Sequence, residues 1–366
     1  ARSLQPVDQF NVQRVSEPLV NAHGDREPDL VDCVEFLDLF FAVAKAGIIL
    51  VPLSTRLTAR ELEFVVRDSG IRALVYDRLT VDTVRALRGS SGSRTAATQS
   101  IERWITIDEC ATDGDDVLAE RVRLSAEAPW SHVRSDPEDP YCLLYTSGTT
   151  GLPRGVVHSQ HNLLLPGAVL VAERGYDASL RKGDCLPLTI LNMMVLTTLL
   201  TAQAGGCCVV MDRRDAAGIA EWVRSQRLTV WNGVPAQLFD MVRGGQVTRE
   251  DLASLHEGWS GGGDCPDALR TAFADAFGHE LRATYGLTEA PTVVAMDPVG
   301  GAWIPGASGR ALPHLQLRAV DDEDRDVAPD GIGEICVAAA PDGPWAGAWT
   351  PMLGEWHDGA VIPFRD

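Results

Sequence analysis

Apolar residues recur at helical spacing across residues 34–46, and a short apolar run, 48–52, follows them and reads as a strand. Thr58 and Glu61 stand three apart, the spacing at which a hydroxyl and a carboxylate can each accept the other's backbone N–H, and so predict a helix that Gly70 closes. Residues 73–76 read as the next strand. The same alternation recurs downstream, with strands over 142–145, 207–211 and 230–232 and helices over 162–173, 216–226 and 235–242. Strands that alternate with helices imply an α/β chain with mainly parallel sheets covered on both faces and ligands at the carboxyl ends of the strands. The pattern then changes. Residues 315–320 and 333–338, joined by an acidic, turn-rich stretch over 321–331, predict an antiparallel pair in a smaller β subdomain. The expected organisation is two βα-layered subdomains over 1–310 and the β subdomain over 311–366, without internal repeats.

Composition narrows the classes of partner. With 366 residues and 45% hydrophobic content, the chain carries material for two or three packed cores. Acidic residues outnumber basic ones 51 to 32, and the resulting formal charge of −19 repels nucleic acid and anionic membrane surfaces. The longest apolar stretch, 36–50, is broken by Asp38 and Lys45 and falls short of the about 20 clean residues that a bilayer span needs. Neither nucleic acid nor membrane insertion is expected. No basic region followed by an apolar run and a small-residue cleavage site opens the sequence, so the expected location is the cytoplasm. The 8 cysteines show no Cys-x-x-Cys spacing, which argues against a zinc ribbon and a disulfide framework and for reduced, buried thiols. His158 and His161 could share a helix face, but without a carboxylate partner they read as packing or solvated residues rather than metal ligands.

The strongest chemical signal is Tyr145-Thr-Ser-Gly-Thr-Thr-Gly-Leu-Pro-Arg-Gly155, which runs from a strand end into a loop. Gly148 and Gly151 let backbone N–H groups approach an anion, Thr146, Ser147, Thr149 and Thr150 add hydroxyl donors, and Arg154 supplies a permanent charge. That is the composition of a phosphate cradle. It does not fit the Walker A pattern, because the interval between Gly148 and Gly151 is wrong and the cation precedes a glycine rather than Ser or Thr.

These eleven residues resemble the signature loop of the adenylate-forming superfamily of acyl-CoA synthetases, peptide-synthetase adenylation domains and luciferases, with Arg154 where a Lys usually stands. A second segment, Ala283-Thr-Tyr-Gly-Leu-Thr-Glu289, resembles the family's Tyr-Gly-x-Thr-Glu element. Weaker matches keep the family's order: Gly233-Val-Pro235, Ser260-Gly-Gly-Gly263, Pro305-Gly-Ala-Ser-Gly-Arg310 and Gly333-Glu334. By this resemblance, the residues Thr146, Ser147, Gly148, Thr149, Thr150 and Gly151 would surround the phosphates of ATP, with Arg154 on the pyrophosphate side. Tyr285 would pack on adenine, Thr288 would meet the α-phosphate, and Glu289, with Thr146, would hold Mg²⁺. Gly262, Gly263, Asp264 and Gly286 would pass their backbone beside adenine and the acid.

The resemblance implies an acyl-CoA synthetase-like N-terminal domain that activates a carboxylic acid to its acyl-AMP, with coenzyme A as the later acceptor. Coenzyme A, or a carrier protein in the reading where an amino or aryl acid is activated, is the expected second partner; a homodimer stays open. Several positions depart from the family. Ile190 replaces a frequent His, and no Asp near Asn192 is present to pair with a substrate amine, so a pocket lined by Asn192 and Met193 points to an apolar acid. The ribose-gripping Thr-Gly-Asp element is not evident, and Asp358 in Trp356-His-Asp-Gly359 is its nearest counterpart. The family's mobile C-terminal lid is expected outside this chain, whose end at Asp366 falls about where a hinge would begin. Two rival readings are compatible with these residues. Gly258-Trp-Ser-Gly-Gly262 fits the Gly-x-Ser-x-Gly pattern of an α/β-hydrolase with Ser260 as nucleophile, and a nucleotide-binding protein could keep this fold without adenylating.

Overall fold

The computed structural model describes residues 34–89, 98–107, 115–125, 136–146, 153–301, 303–357 and 359–363. These fall into two compact units, one within 15–160, 187–189 and 353–366 and the other within 161–186 and 190–352. The segment 311–366 is shared between them.

In the first unit α1 (Val34–Ala46) is followed, where a strand over 48–52 was expected, by one isolated bridge from Leu50 to Cys142. Leu50 N–H donates to Tyr141 O and Leu143 N–H to Leu50 O, but Pro52 has no N–H with which to extend the ladder. The predicted capping box is present at the start of α2 (Ala59–Ser69): Glu61 N–H donates to Thr58 Oγ1, Thr58 N–H donates to Glu61 Oε2, and Gly70 ends the helix with φ 63. Strands β1 (Ala73–Tyr76), β2 (Arg103–Thr106) and β3 (Asp116–Val117) form a parallel sheet. Helix α3 (Val81–Arg88) joins α2 over a core that includes Leu62, Val66, Leu74, Val84 and Ile101, and α4 (Leu118–Ser125) follows β3.

The second sheet of this unit is antiparallel throughout, in the order β16-β15-β5-β4, with β4 (Pro140–Thr146), β5 (Arg154–Ser159), β15 (Gly354–His357) and β16 (Ala360–Pro363). This corrects the expectation of parallel pairing around residues 142–145. The stretch between β4 and β5 is too short for the crossover that parallel neighbours require. Gly155 is needed in β5, because a Cβ there would stand 2.8 Å from Leu143 Cδ1 and 2.9 Å from Trp356 Cβ.

The other unit follows the predicted α/β pattern. After α5 (Gln160–Arg174), the strands β6 (Arg181–Asp184), β7 (Cys207–Val210), β8 (Val230–Gly233), β9 (Glu257–Ser260) and β10 (Leu281–Gly286) pair in parallel. Two antiparallel strands, β11 (Val293–Met296) and β12 (Arg310–Ala311), complete a seven-stranded sheet of order β12-β11-β10-β9-β8-β6-β7. A π-helical segment, Asn192–Leu199, packs against β6 and continues into α6 (Leu200–Ala204). Helices α7 (Ala216–Gln226), α8 (Pro235–Gly244) and α9 (Asp267–Phe277) contribute to a core with Trp231, Leu238, Phe273 and Leu281. The predicted antiparallel pair is β13 (Leu315–Val320) with β14 (Glu334–Ala339). Among the described residues no helix is long and apolar enough to cross a membrane.

Candidate active site

Thr146 and Arg154 form the last register pair of β4 and β5, so the glycine- and hydroxyl-rich connection leaves and re-enters one end of that sheet. Ser147, Gly148, Thr149, Thr150 and Gly151 lie outside the described residues. Arg154 is 47% exposed and its guanidinium stands 3.7 Å from the Glu355 carboxylate, a contact of at most ~1 kcal/mol that leaves the cation available to a ligand. Asp68 ties the neighbouring strands together: Tyr145 donates its hydroxyl proton to Asp68 Oδ2 at 2.6 Å, and Trp356 Nε1 donates to Asp68 O at 2.9 Å. Burial and the Asp68 carboxylate push the Tyr145 phenol well above its ordinary pKa, so it stays a neutral donor. Trp356 pairs with Gly155 and His357 with Ala360, which sets the β15–β16 turn at the same end of the sheet as Arg154. Asp358 itself lies outside the described residues.

In the other unit the carboxyl ends of β9 and β10 are neighbours, with Ala283 paired to Ser260. Gly262, Gly263 and Asp264 follow β9 and are exposed, as are Tyr285, Gly286 and Glu289 after the core of β10; Thr288 is half-buried. The glycines answer different demands. Gly262 adopts φ 73, a conformation that disfavours side chains, while a Cβ on Gly286 would fall 1.6 Å from Thr292 O. A cleft of about 220 Å³ opens beside Gly263, Asp264 and Thr284. The Glu289 backbone carbonyl accepts from Met352 N–H at 2.9 Å, whereas its carboxylate makes no hydrogen bond or ion pair among the described residues. No group of three or more metal-ligating side chains occurs among the described residues.

Asn192 and Met193 part company. Met193 is fully buried, whereas Asn192 is the one residue of 191–200 that is not buried. Asn192 is held by a group that sequence reasoning passed over: Asn232 Nδ2 donates to Asn192 Oδ1 at 2.7 Å and to Asp184 Oδ2 at 3.2 Å. Asp184 also accepts from Leu186 N–H at 2.8 Å and Thr197 Oγ1 at 3.0 Å. Its strand, Arg-Lys-Gly-Asp, buries Lys182 and Asp184 and carries no apolar periodicity by which it could have been found. Burial raises the Asp184 pKa, with Lys182 and the three donors opposing, and lowers the Lys182 pKa to about 8, with Asp184 and Glu257 opposing.

The hydrolase reading fails on geometry. Ser260 closes β9 in a buried position, and its Oγ has no histidine or carboxylate partner among the described residues. Three glycines and two further turn residues separate it from Pro266 and α9, so no helix follows it directly as a nucleophile elbow requires. His158 and His161 do not share a helix face: His158 is buried on β5, and His161 on α5 hydrogen-bonds Ala348 O at 2.7 Å.

Residues 30–341 match the AMP-binding enzyme family. The long-chain-fatty-acid–CoA ligase FadD13 of Mycobacterium tuberculosis is 31% identical over 86% of this chain and 60% of its own length. The fatty acid–[acyl-carrier-protein] ligase ScoC of Streptomyces coeruleorubidus is 29% identical over 87% of this chain and 60% of its own length. The fold is similar to the crystal structure of the anthranilate CoA ligase AuaEII in complex with anthranoyl-AMP, with a TM-score of 0.80 at 24% identity, covering 90% of this chain and 60% of that one. The chain thus spans about three-fifths of the length of the curated relatives it matches.

Proposed function

The chain belongs to the AMP-binding enzyme family of the adenylate-forming superfamily, and from that premise we propose that it carries the site at which an apolar carboxylic acid is activated by ATP to its acyl-AMP, for transfer to coenzyme A in the longer enzyme. The observation that carries the reading is the pair of adjacent strand ends, where an exposed glycine turn follows β9, and exposed Tyr285 on β10 is followed by Glu289, whose carboxylate is unpaired among the described residues. An aromatic face beside a backbone without side chains suits adenine, and ligands of parallel sheets sit beyond the carboxyl ends of strands.

The acid's carboxylate is itself the nucleophile toward the α-phosphorus, so no general base is required and the protein's work is positioning and charge stabilisation. In this reading Thr288 donates its hydroxyl proton toward the α-phosphate, and Arg154 with the 146–151 connection holds the departing pyrophosphate. Among the described residues, the unpaired carboxylate of Glu289, rather than a cage, fits Mg²⁺, which shares its shell with phosphates; held there, it would neutralise charge on the departing group. Asp184 has its oxygens engaged by three donors, so it offers no site for a substrate ammonium. An apolar acid is therefore favoured over an amino acid. We assign the reaction to the cytoplasm, where ATP and coenzyme A are supplied. A carrier-protein thiol is the second reading for the acceptor, favoured by the likeness to ScoC.

ATP–pyrophosphate exchange across fatty, aromatic and alicyclic acids and the standard amino acids tests the proposal. Apolar acids should drive exchange best. An amino acid as best substrate overturns the pocket reading, and exchange with no acid at all overturns the activity.

A further inference from the structure

The hydrogen-bond polarity of the site can be followed outward from one buried carboxylate. Asp184 is fully buried at the end of β6, and the N–H of Leu186, which can only donate, fixes its Oδ1 as an acceptor. Its Oδ2 receives Thr197 Oγ1 and Asn232 Nδ2, and the ammonium of Lys182, two residues earlier on the same strand, is buried with it. Burial raises its pKa, and Lys182 and the three donors oppose that shift. Its Oδ2 is an acceptor for Asn232, which turns its NH₂ toward it. The same nitrogen lies 2.7 Å from Asn192, and Asn192 must therefore face Asn232 with its carbonyl oxygen. Amide orientation, ambiguous on shape alone, is settled here by the chain of donors and acceptors.

The consequence falls on the half-buried end of the chain. The NH₂ of Asn192 is turned away from Asn232 and has no acceptor among the described residues, while its flanking residues 191 and 193–200 are all buried. Asn192 also begins the π-helical segment, a form of backbone that recurs at functional sites. It stands beyond the carboxyl ends of β6 and β8, where a parallel sheet takes its ligands.

We propose that Asn192 reads the acyl group of the acid, its NH₂ donating to one oxygen on an otherwise apolar chain, so that the site prefers an oxo or hydroxy acid to the saturated acid of equal length. Asp184 and Asn232 are positioning residues that fix the polarity of Asn192. The inference rests on the acid-activating reading given above.

The test is ATP–pyrophosphate exchange by the full-length enzyme on matched medium-chain acids, saturated or carrying a single oxo or hydroxyl group at successive positions. At one position the oxygenated acid should exceed the saturated acid by about tenfold in kcat/KM, because a site built to hydrogen-bond a substrate group discriminates against the analogue lacking it. In Asn192→Ala and Asn192→Leu the ratio should fall toward one, and in Asn232→Leu the loss should appear as a raised KM for the oxygenated acid. No preference in the parent, an unchanged ratio in either Asn192 variant, or loss of exchange with every acid in both, overturns the inference. Exchange with saturated acids alone would leave acid activation standing while removing this inference; exchange with no acid would remove both.

Discussion

The ammonium of Lys182 lies 3.8 Å from the centroid of the Trp259 ring, both residues being fully buried. The lysine has no hydrogen-bond partner among the described residues, and the aromatic face stabilises its charge together with the Asp184 and Glu257 carboxylates. Trp259 is itself fixed by Nε1 donating to Glu257 Oε2 at 2.8 Å, and Glu257 is paired with Arg174 at 2.6 Å.

Trp259→Leu should therefore destabilise by ~3 kcal/mol or more, combining a lost aromatic side chain with a buried cation that has lost its partner. Lys182→Met introduced into that background should restore part of the loss, giving a coupling of ~1–2 kcal/mol in a double-mutant cycle followed by urea denaturation. Additivity within ~0.5 kcal/mol would mean that the ring and the ammonium do not interact energetically.

Arg154→Ala and Glu289→Ala should each reduce pyrophosphate exchange by ~10² or more, since both are assigned to charge that develops in the transition state. Neither should disturb the fold. Arg154 is half exposed in a long contact to Glu355, and Glu289 contributes to the described structure through its backbone carbonyl. Unchanged far-UV circular dichroism with normal exchange in either variant would remove that residue from the site.

Features specified locally were legible in the sequence. Thr58 and Glu61 act within one helical turn, and the two motifs announced themselves by residue type; the first lies, as expected, at the end of a strand, β4, and the second lies at the end of β10, a strand the pattern did not predict. Relations between distant segments were not. The antiparallel run of β4, β5, β15 and β16 pairs β5 with a strand some two hundred positions away, and nothing in residues 154–159 announces that partner. Strand β6 was invisible for a different reason: Lys182 and Asp184 are buried against aromatic and polar partners, so the strand lacks the apolar alternation by which strands are found. Missing that strand also meant missing Asp184, and with it the reason Asn192 faces as it does.

Gly286→Ala should be far more damaging than substitution at exposed glycines of the same region. A Cβ at Gly286 would lie 1.6 Å from Thr292 O, where the β10–β11 ladder already shifts register, so the hairpin must open to admit a methyl group. At Gly263 the nearest atom to a Cβ would be Pro235 Cγ at 3.5 Å, an ordinary contact. Thermal unfolding should show a loss of ~2 kcal/mol or more for Gly286→Ala and under ~1 kcal/mol for Gly263→Ala. Equal losses would contradict the geometry.

His314 gives the chain a pH dependence of known sign. It is fully buried, neither ring nitrogen has a partner among the described residues, and burial lowers its pKa to about 4. In the unfolded chain the imidazole titrates near ~6.5. Above that pH both states are neutral there and His314 contributes nothing; below it the unfolded chain takes up a proton that the folded chain refuses until about pH 4. Stability must therefore fall as pH drops through this window, by up to ~3 kcal/mol. His279, also lowered by burial, adds in the same direction, while Asp184, raised by burial, opposes at the acid end. Carboxylates lowered by their partners, such as Glu257 beside Arg174, lose their contribution only toward the bottom of the window, which leaves its upper part to the histidines. Urea midpoints at pH 7.5, 6 and 5 should decline in the parent and decline less in His314→Leu. Parallel decline in the two proteins would mean that His314 is protonated in the folded state, and that its ring has a partner or a path to water.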